Sequence, residues 1–222
     1  MAATSRREAR VDQIIAGAAQ FFSENGLSGQ TRELAKFLGI AQPLLYRYFP
    51  SKRSLIERIF EEFFENRWNS NWPTLIRNDS LSIETRLRRL YSEYNQLLLT
   101  REWVRLFMFA ELAGYGFGKK SLAKLTQEIL VPLATCLRKH YGAPDTTLHE
   151  ITAYEINLLL DLHGLIIYKS IRKHVYGMRG SAKWSTILDD LILHLQGSMP
   201  AVYQRIFPGF KLKGTPRPLS VL

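Results

Sequence analysis

The amino-acid sequence predicts an all-α protein with a division near residue 50. Three observations carry this reading. Apolar residues recur at helical spacing along most of the 222 residues, strand-like alternation is almost absent, and the breaks "AGYGFG", "GAPD" and "GMRGSA" are turns or short loops. No internal repeat or low-complexity tract interrupts the pattern.

The elements follow in order. Over residues 6–24, Val11, Ile14, Ile15, Ala18, Ala19 and Phe22 fall on one stripe of an amphipathic helix, and Gly26 in "ENGL" supplies its stop. A second, short helix fits 31–37, with Leu34, Ala35 and Leu38 on its inner side. "LGI" then turns, and a third helix starts at Gln42-Pro43, because proline is tolerated in a first turn where its missing N–H would have had no partner. Pro50 ends that helix and Ser51 caps the next, "SKRSLIERIFEEFFENRW", whose Leu55, Ile56, Ile59, Phe60, Phe63 and Phe64 keep helical spacing until Trp72-Pro73 closes it. Further helices are predicted over 83–101, 102–112, 119–141, 148–176 and 182–206.

Composition narrows the classes of function. Hydrophobic residues make up 46% and charged residues 23%, values that exclude disorder of the whole chain. The formal charge of +10 sits at the ends: residues 1–58 hold nine Lys/Arg against five Asp/Glu, 59–204 hold seventeen against fifteen, and 205–222 hold four against none. Such asymmetry suits a polyanionic partner for at least one end, although a solvated surface alone produces it too. The single Cys136 excludes an internal disulfide and a multi-cysteine zinc site, and its surroundings "LATCLRKH" predict a thiol buried on a helix. No apolar run reaches the ~18 residues of a membrane span, and "MAATSRREAR" has no apolar core for a signal peptide, so a cytoplasmic protein with no membrane partner is expected.

No catalytic grouping is found, and no enzyme, metal or cofactor is expected. The histidines are His140, His149, His163, His174 and His194; His149-Glu150 lacks the second histidine of a helical zinc motif. Asp161 and His163 lie two apart on a helix and do not face each other. "GYGFGKKS" departs from phosphate-loop spacing and follows no strand.

Two short helices joined by a tight turn at "FLGI", with a third helix bracing them, outline a helix-turn-helix. In that arrangement the second helix of the pair enters the major groove, and only its N-terminal side chains reach base edges. These are Gln42, Pro43, Leu44, Tyr46 and Arg47. Gln pairs bidentately with adenine, and Pro43 or Leu44 can press on a thymine methyl. Arg47, Lys52 and the Tyr48 hydroxyl suit phosphate, while Leu38, Ile40, Leu45 and Phe49 form the apolar kernel.

The stretch "AAQFFSENG…TRELAKFLGIAQPLLYRYFPSKRSL" resembles the DNA-binding domain of tetracycline-repressor (TetR-type) transcriptional regulators. The resemblance rests on Ala18, Phe22, Gly26, Thr31, Ala35, Gly39, Leu45, Tyr46, Tyr48, Phe49, Lys52 and Leu55, and covers roughly the first 60 residues. It implies a 1–50 helix-turn-helix DNA-binding domain and a 51–222 helical regulatory and dimerisation domain with a ligand cavity. It also implies a double-stranded DNA operator as partner, with Thr31 and Arg32 opening the second helix at the operator edge and Gln42, Pro43, Leu44, Tyr46, Arg47, Tyr48 and Lys52 on the recognition helix and its exit. Gln30, Ala41 and Leu44 depart from the family's usual Thr/Ser, capping Ser and small residue.

Beyond residue 60 the resemblance is architectural. "YEINLLLDLHGLIIYKSI" and "WSTILDDLILHLQGSM" are apolar over more of their circumference than a surface helix needs, so they are buried internally or against a partner. A homodimer interface is assigned to Leu159, His163, Ile166, Leu188, Leu191 and Leu195, and an apolar or aromatic effector site to Trp68, Trp72, Tyr94, Trp103, Phe107 and Phe109. Aromatics at helical spacing equally suit plain core, which leaves open a protein of the same fold that senses no small molecule and recruits a protein partner.

Overall fold

The computed structural model describes residues 6–178 and 183–209. Among them the regular structure is helical: α1 (Arg6–Asn25), α2 (Thr31–Phe37), α3 (Gln42–Tyr48), α4 (Lys52–Phe60), α5 (Trp72–Ile76), α6 (Ile83–Leu98), α7 (Arg101–Leu112), α8 (Phe117–Leu125), α9 (Val131–Tyr141), α10 (Ala153–His174) and α11 (Trp184–Ile206). No helix among the described residues is long and apolar enough to cross a membrane. Part of the predicted break "GMRGSA", at 179–182, the predicted start of the last helix at 182 and the basic C-terminal stretch beyond 209 lie outside the described residues.

Several boundaries move, each for a local reason. Trp72-Pro73 does not close a helix but opens α5, since proline fits a first turn as readily as it ends a preceding one. Thr100 separates α6 from α7 by accepting a hydrogen bond from the Trp103 N–H at 3.3 Å. The segment predicted as one helix over 119–141 contains a wider π-type turn, Thr126–Leu130, ahead of Pro132. Proline has no N–H to give and crowds the preceding turn, and the wider turn absorbs both defects. The helix predicted from 148 starts at Ala153, where Thr152 Oγ1 accepts from the Glu155 N–H. Cys136 is half-buried and donates to the Ile76 carbonyl at 3.3 Å, rather than lying wholly inside.

The chain forms two compact units. One is Met1–Trp68 with Gln96–Lys119; the other is Asn69–Asn95 with Lys120–Leu222. A boundary at residue 50 follows the end of α3, whereas compactness carries α4 and α7 along with the N-terminal helices because α1 packs on both.

In the first unit the predicted stripe Ile14, Ile15, Ala18, Ala19 and Phe22 is buried, and Val11 at its end is half-buried. Each large apolar side chain so buried contributes about 1.5–3 kcal/mol. Arg105 on α7 donates from Nε to the Ser23 carbonyl at 2.5 Å, satisfying one of the acceptors left free at the end of α1. A methyl group on Gly17 would meet Leu38 Cδ2 at 2.3 Å, so the Leu38 side chain packs over residue 17 in space that any larger residue would make it give up. Phe60, Phe64, Trp103 and Phe107 form a chain of ring contacts with centroids 5.2–5.6 Å apart, extended by Phe117 stacked 4.0 Å from Phe60.

In the second unit α10 packs on α9 and α11. Arg138 and Glu155, 1% and 0% exposed, form a two-pronged pair at 2.8 and 2.6 Å. Arg138 also donates to the carbonyls of His149 and Glu150, so one guanidinium closes the loop that leads into α10.

Candidate nucleic-acid interface

The helix-turn-helix pair lies within the first unit. Gly39, at φ +64°, makes the turn between α2 and α3 in a conformation that costs other residues strain. Leu34, Ala35, Leu45 and Phe49 are buried, and Leu38 and Ile40 are half-buried, which leaves the polar side chains of α3 outside. Both helix starts are built around the sequence departures noted above. The Gln30 N–H is met by Glu33 Oε2 at 3.3 Å, and Ala41 offers α3 no side-chain cap. Pro43 compensates in part, because it has no N–H and so removes one of the donors that the first turn would leave without a partner.

The structure joins three of the predicted residues into one network that their spacing did not foretell. Gln42 Nε2 donates to Thr31 Oγ1 at 3.0 Å, and the same hydroxyl shares a hydrogen bond with Tyr46 Oη at 2.9 Å. Thr31 opens α2, whereas Gln42 and Tyr46 sit a turn apart on α3, so the hydroxyl bridges the two helices. Gln42 keeps its second amide hydrogen and its Oε1, the donor and acceptor that a bidentate contact with adenine uses. Tyr46 is 41% exposed, Arg32, Pro43 and Arg47 are exposed, and Leu44 and Tyr48 are half-buried. No carboxylate among the described residues pairs with Arg32 or Arg47.

Lys52 is placed differently from a free phosphate ligand. Its ammonium donates to the Leu27 and Gly29 carbonyls, the latter at 2.7 Å, and lies 5.4 Å from the Phe22 ring centre. Burial lowers its pKa. The side chain ties the start of α4 to the loop between α1 and α2, behind the helices that face outward.

The other two predicted sets lie elsewhere. Trp68, Trp103, Phe107 and Phe109 belong to the first unit, and Trp72 and Tyr94 to the second. Trp103 and Phe107 line a small apolar gap with Leu27, Ile56, Phe60 and Leu106, of about 10 Å³ for the centre of a water-sized sphere. Phe109 lies against Gly26 and under the Arg105 guanidinium, and Trp68 packs on Phe64. Trp72 is wholly buried against Tyr94 at 5.5 Å, its Nε1 donating to Glu93 at 2.9 Å.

The six residues assigned to an interface, Leu159, His163, Ile166, Leu188, Leu191 and Leu195, are all buried within the second unit itself. Helical periodicity marks an apolar stripe but not which stripe of a broadly apolar helix meets its own protomer. The outward faces of α10 and α11 carry Leu165, Tyr168 and Leu193, at 41%, 51% and 58% exposure. His163 packs between Tyr91 and Tyr94, with ring centres 5.8 and 5.1 Å away, and its Nδ1 has no hydrogen-bond partner. Burial depresses its pKa to about 4 and pushes both phenols up.

A tight-turned helix pair with a polar second helix and a bracing first helix defines a helix-turn-helix protein. Residues 14–59 match the family model described as bacterial regulatory proteins, tetR family. The chain is 30% identical over 86 residues to the class D tetracycline repressor protein of Escherichia coli and to the class H protein of Photobacterium damsela subsp. piscicida. In each case the alignment covers 35% of this chain and 39% of the relative, so the chain spans about two fifths of the curated relatives it matches. Among solved structures, Mycobacterium smegmatis AmtR is similar at a TM-score of 0.59 and 18% identity, covering 88% of both chains. A TetR family transcriptional regulator from Pseudomonas syringae pv. tomato is similar at 0.59 and 14% identity, covering 84% of this chain and 95% of that one. The N-terminal segment is a tetR-family domain, and the whole chain has the fold of TetR-type regulators.

Proposed function

We propose that the protein is a cytoplasmic transcriptional regulator that binds a palindromic double-stranded DNA operator as a homodimer, and a repressor released by a small apolar or aromatic ligand. The observation that carries the DNA reading is the Thr31–Gln42–Tyr46 network, which holds a base-reading amide on the outer face of α3 beside the unpaired Arg32 and Arg47. Base contacts specify and phosphate contacts position. Replacing Gln42 with Ala is therefore expected to cost about 1–3 kcal/mol on the cognate site and to relax preference at one base pair per half-site. Fluorescence anisotropy on a duplex obtained by binding-site selection and on its scrambled counterpart measures this; equal losses on both would remove Gln42 from the base-reading set.

A single helix-turn-helix buries too little surface for tight specific binding, so two copies are needed, with half-sites about 34 Å or a multiple of it apart. Leu165, Tyr168 and Leu193 are exposed apolar side chains of α10 and α11 that suit contact with a second copy.

The ligand reading rests on the gap beside Trp103 and Phe107, which separates α4 from α7 within the first unit. At about 10 Å³ it holds at most one water, so an apolar ligand has to push α4 away from α7 to enter. α4 begins at Lys52, which is tied to the loop between α1 and α2, so that movement reaches the DNA-facing pair. A hundredfold loss of operator affinity requires about 2.7 kcal/mol of coupling, and operator DNA then weakens the ligand by the same factor. The small size of the gap also favours a second reading, a DNA-binding protein that senses no small molecule and recruits a protein partner. Native mass spectrometry of the purified protein, followed by titration of any retained compound with and without operator, separates the two. A compound bound equally tightly in both conditions is no inducer.

A further inference from the structure

Away from the base-reading end of α3, the first unit carries a second concentration of charge. Arg6 and Arg7, at the start of α1, and Arg47 and Tyr48, at the end of α3, surround one open hollow of about 470 Å³. Arg6, Arg7 and Arg47 are exposed, and no carboxylate among the described residues pairs with any of them. Other arginines of the unit are paired: Arg53, Arg58 and Arg101 lie 2.8, 2.9 and 3.7 Å from Glu57, Glu61 and Glu24, whereas Arg6, Arg7 and Arg47 share one hollow with no carboxylate. Three like charges around one hollow repel unless an anion sits among them. The sequence points the same way, with nine Lys/Arg against five Asp/Glu over residues 1–58.

We propose that this hollow is a phosphate seat that takes the DNA backbone outside the contacts made by α2 and the start of α3, lengthening each protomer's footprint by one or two phosphates. The inference rests on the DNA-binding reading above. Guanidinium groups grip phosphate oxygens with paired hydrogen bonds, and a tyrosine hydroxyl adds a third donor. In a helix-turn-helix the recognition helix lies in the groove while the first helix of the pair crosses the backbone. A seat at the C-terminal end of α3, reached by the start of α1, therefore meets backbone rather than base edges. Arg6 and Arg7 then add affinity without adding preference for any base.

The test uses the full chain and the duplex recovered by binding-site selection, in two lengths: one extended by several base pairs beyond each half-site, one ending at the outermost base pair of each. The double variant Arg6→Ala/Arg7→Ala changes exposed side chains, and circular dichroism checks that its helix content is unaltered. On the extended duplex its affinity is expected to fall at least tenfold, equally for cognate and scrambled sequences. Its salt dependence should flatten by about 0.9 in slope for each phosphate contact removed, about 3.6 for two contacts in each of two protomers. On the short duplex variant and wild type should bind alike, and Arg6→Lys/Arg7→Lys should retain the salt slope because the charge persists. An unchanged slope on the extended duplex overturns the proposal while leaving DNA binding by α3 intact. Equal losses on the two lengths overturn it as well, since the arginines would then act inside the core footprint. Inorganic phosphate and pyrophosphate are titrated in parallel by thermal shift. Stabilisation of wild type but not of the alanine variant, with the duplex slope unchanged, would assign the seat to a free phosphorylated molecule instead of DNA. Wild-type protein that binds neither duplex would overturn the DNA reading itself and this inference with it.

Discussion

Replacing His163 with Leu should flatten the acid side of the stability profile. The imidazole is buried between Tyr91 and Tyr94 on α6, its Nδ1 unpartnered, and burial lowers its pKa from 6.5 to about 4. The folded protein therefore refuses a proton that the unfolded chain accepts. The contribution of the neutral ring is intact above 6.5 and is lost as the pH falls toward about 4. Each pH unit inside that window costs about 1.4 kcal/mol, so wild type should lose about 2 kcal/mol from this group between pH 7.5 and 5.0. The Leu variant has no such group and keeps every other histidine. Subtracting its loss over the same interval from that of wild type isolates the effect. Urea denaturation at the two pH values, followed by circular dichroism, measures both. At pH 7.5 the variant should be at least as stable as wild type, because an unpartnered polar atom leaves the core. Parallel profiles for the two proteins would show that the ring is either hydrated or protonated in place, and would refute the argument.

Three further outcomes follow from geometry. Arg138→Met should destabilise by about 3–5 kcal/mol, because it strands Glu155 in the core. In wild type, burial opposes ionisation of Glu155, but the hydrogen bonds from Arg138 and Thr152 outweigh it and hold the carboxyl below its ordinary 4.5; that contribution is complete above 4.5 and disappears as the pH drops through the folded value, as denaturation at pH 7 and pH 3 will show. Lys52→Met should cost about 1–2 kcal/mol of stability by leaving the Leu27 and Gly29 carbonyls without their donor, and should weaken cognate and scrambled duplexes alike in anisotropy. The pair Leu165→Glu/Leu193→Glu should yield folded monomers by sedimentation, whereas Leu191→Glu/Leu195→Glu, changing buried positions, should yield unfolded or insoluble protein; an intact dimer in the first case would move the interface off this face.

The helix-turn-helix was legible because its constraints are local. Periodicity, the Gly39 turn and the Pro43 start act within a few residues, and α2 occupies the 31–37 span that the spacing predicts. The side chains of α3 were readable as a set because the apolar kernel beneath them is small and whatever is not kernel faces out. Their bonding was not readable: Thr31 lies 11 residues from Gln42 and 15 from Tyr46, and only the folded turn brings the three together. Long helices are harder for a different reason. α10 is apolar around much of its girth, so periodicity could not tell the side carrying Leu159, His163 and Ile166, which faces its own core, from the side carrying Leu165 and Tyr168. For the aromatic set, helical spacing marks Trp72 and Tyr94 as readily as Trp103 and Phe107, although the first two belong to one compact unit and the others to another.

In the DNA complex proposed above, the hydroxyl of Thr31 bears on how faithfully an operator would be read. Gln42 and Tyr46 are already held in one rotamer by their bonds to it, so the entropy of fixing them, about 0.5–1.5 kcal/mol per side chain, falls on folding and not on association. The same bonds make the reading head stiff. A duplex shifted by one base pair cannot be met by swinging Gln42 to a new rotamer unless the bond to Thr31 breaks first. In that complex, discrimination would be sharpened against near-matches, and a change at position 31, on a helix that need not read a base itself, would alter which sequences Gln42 accepts.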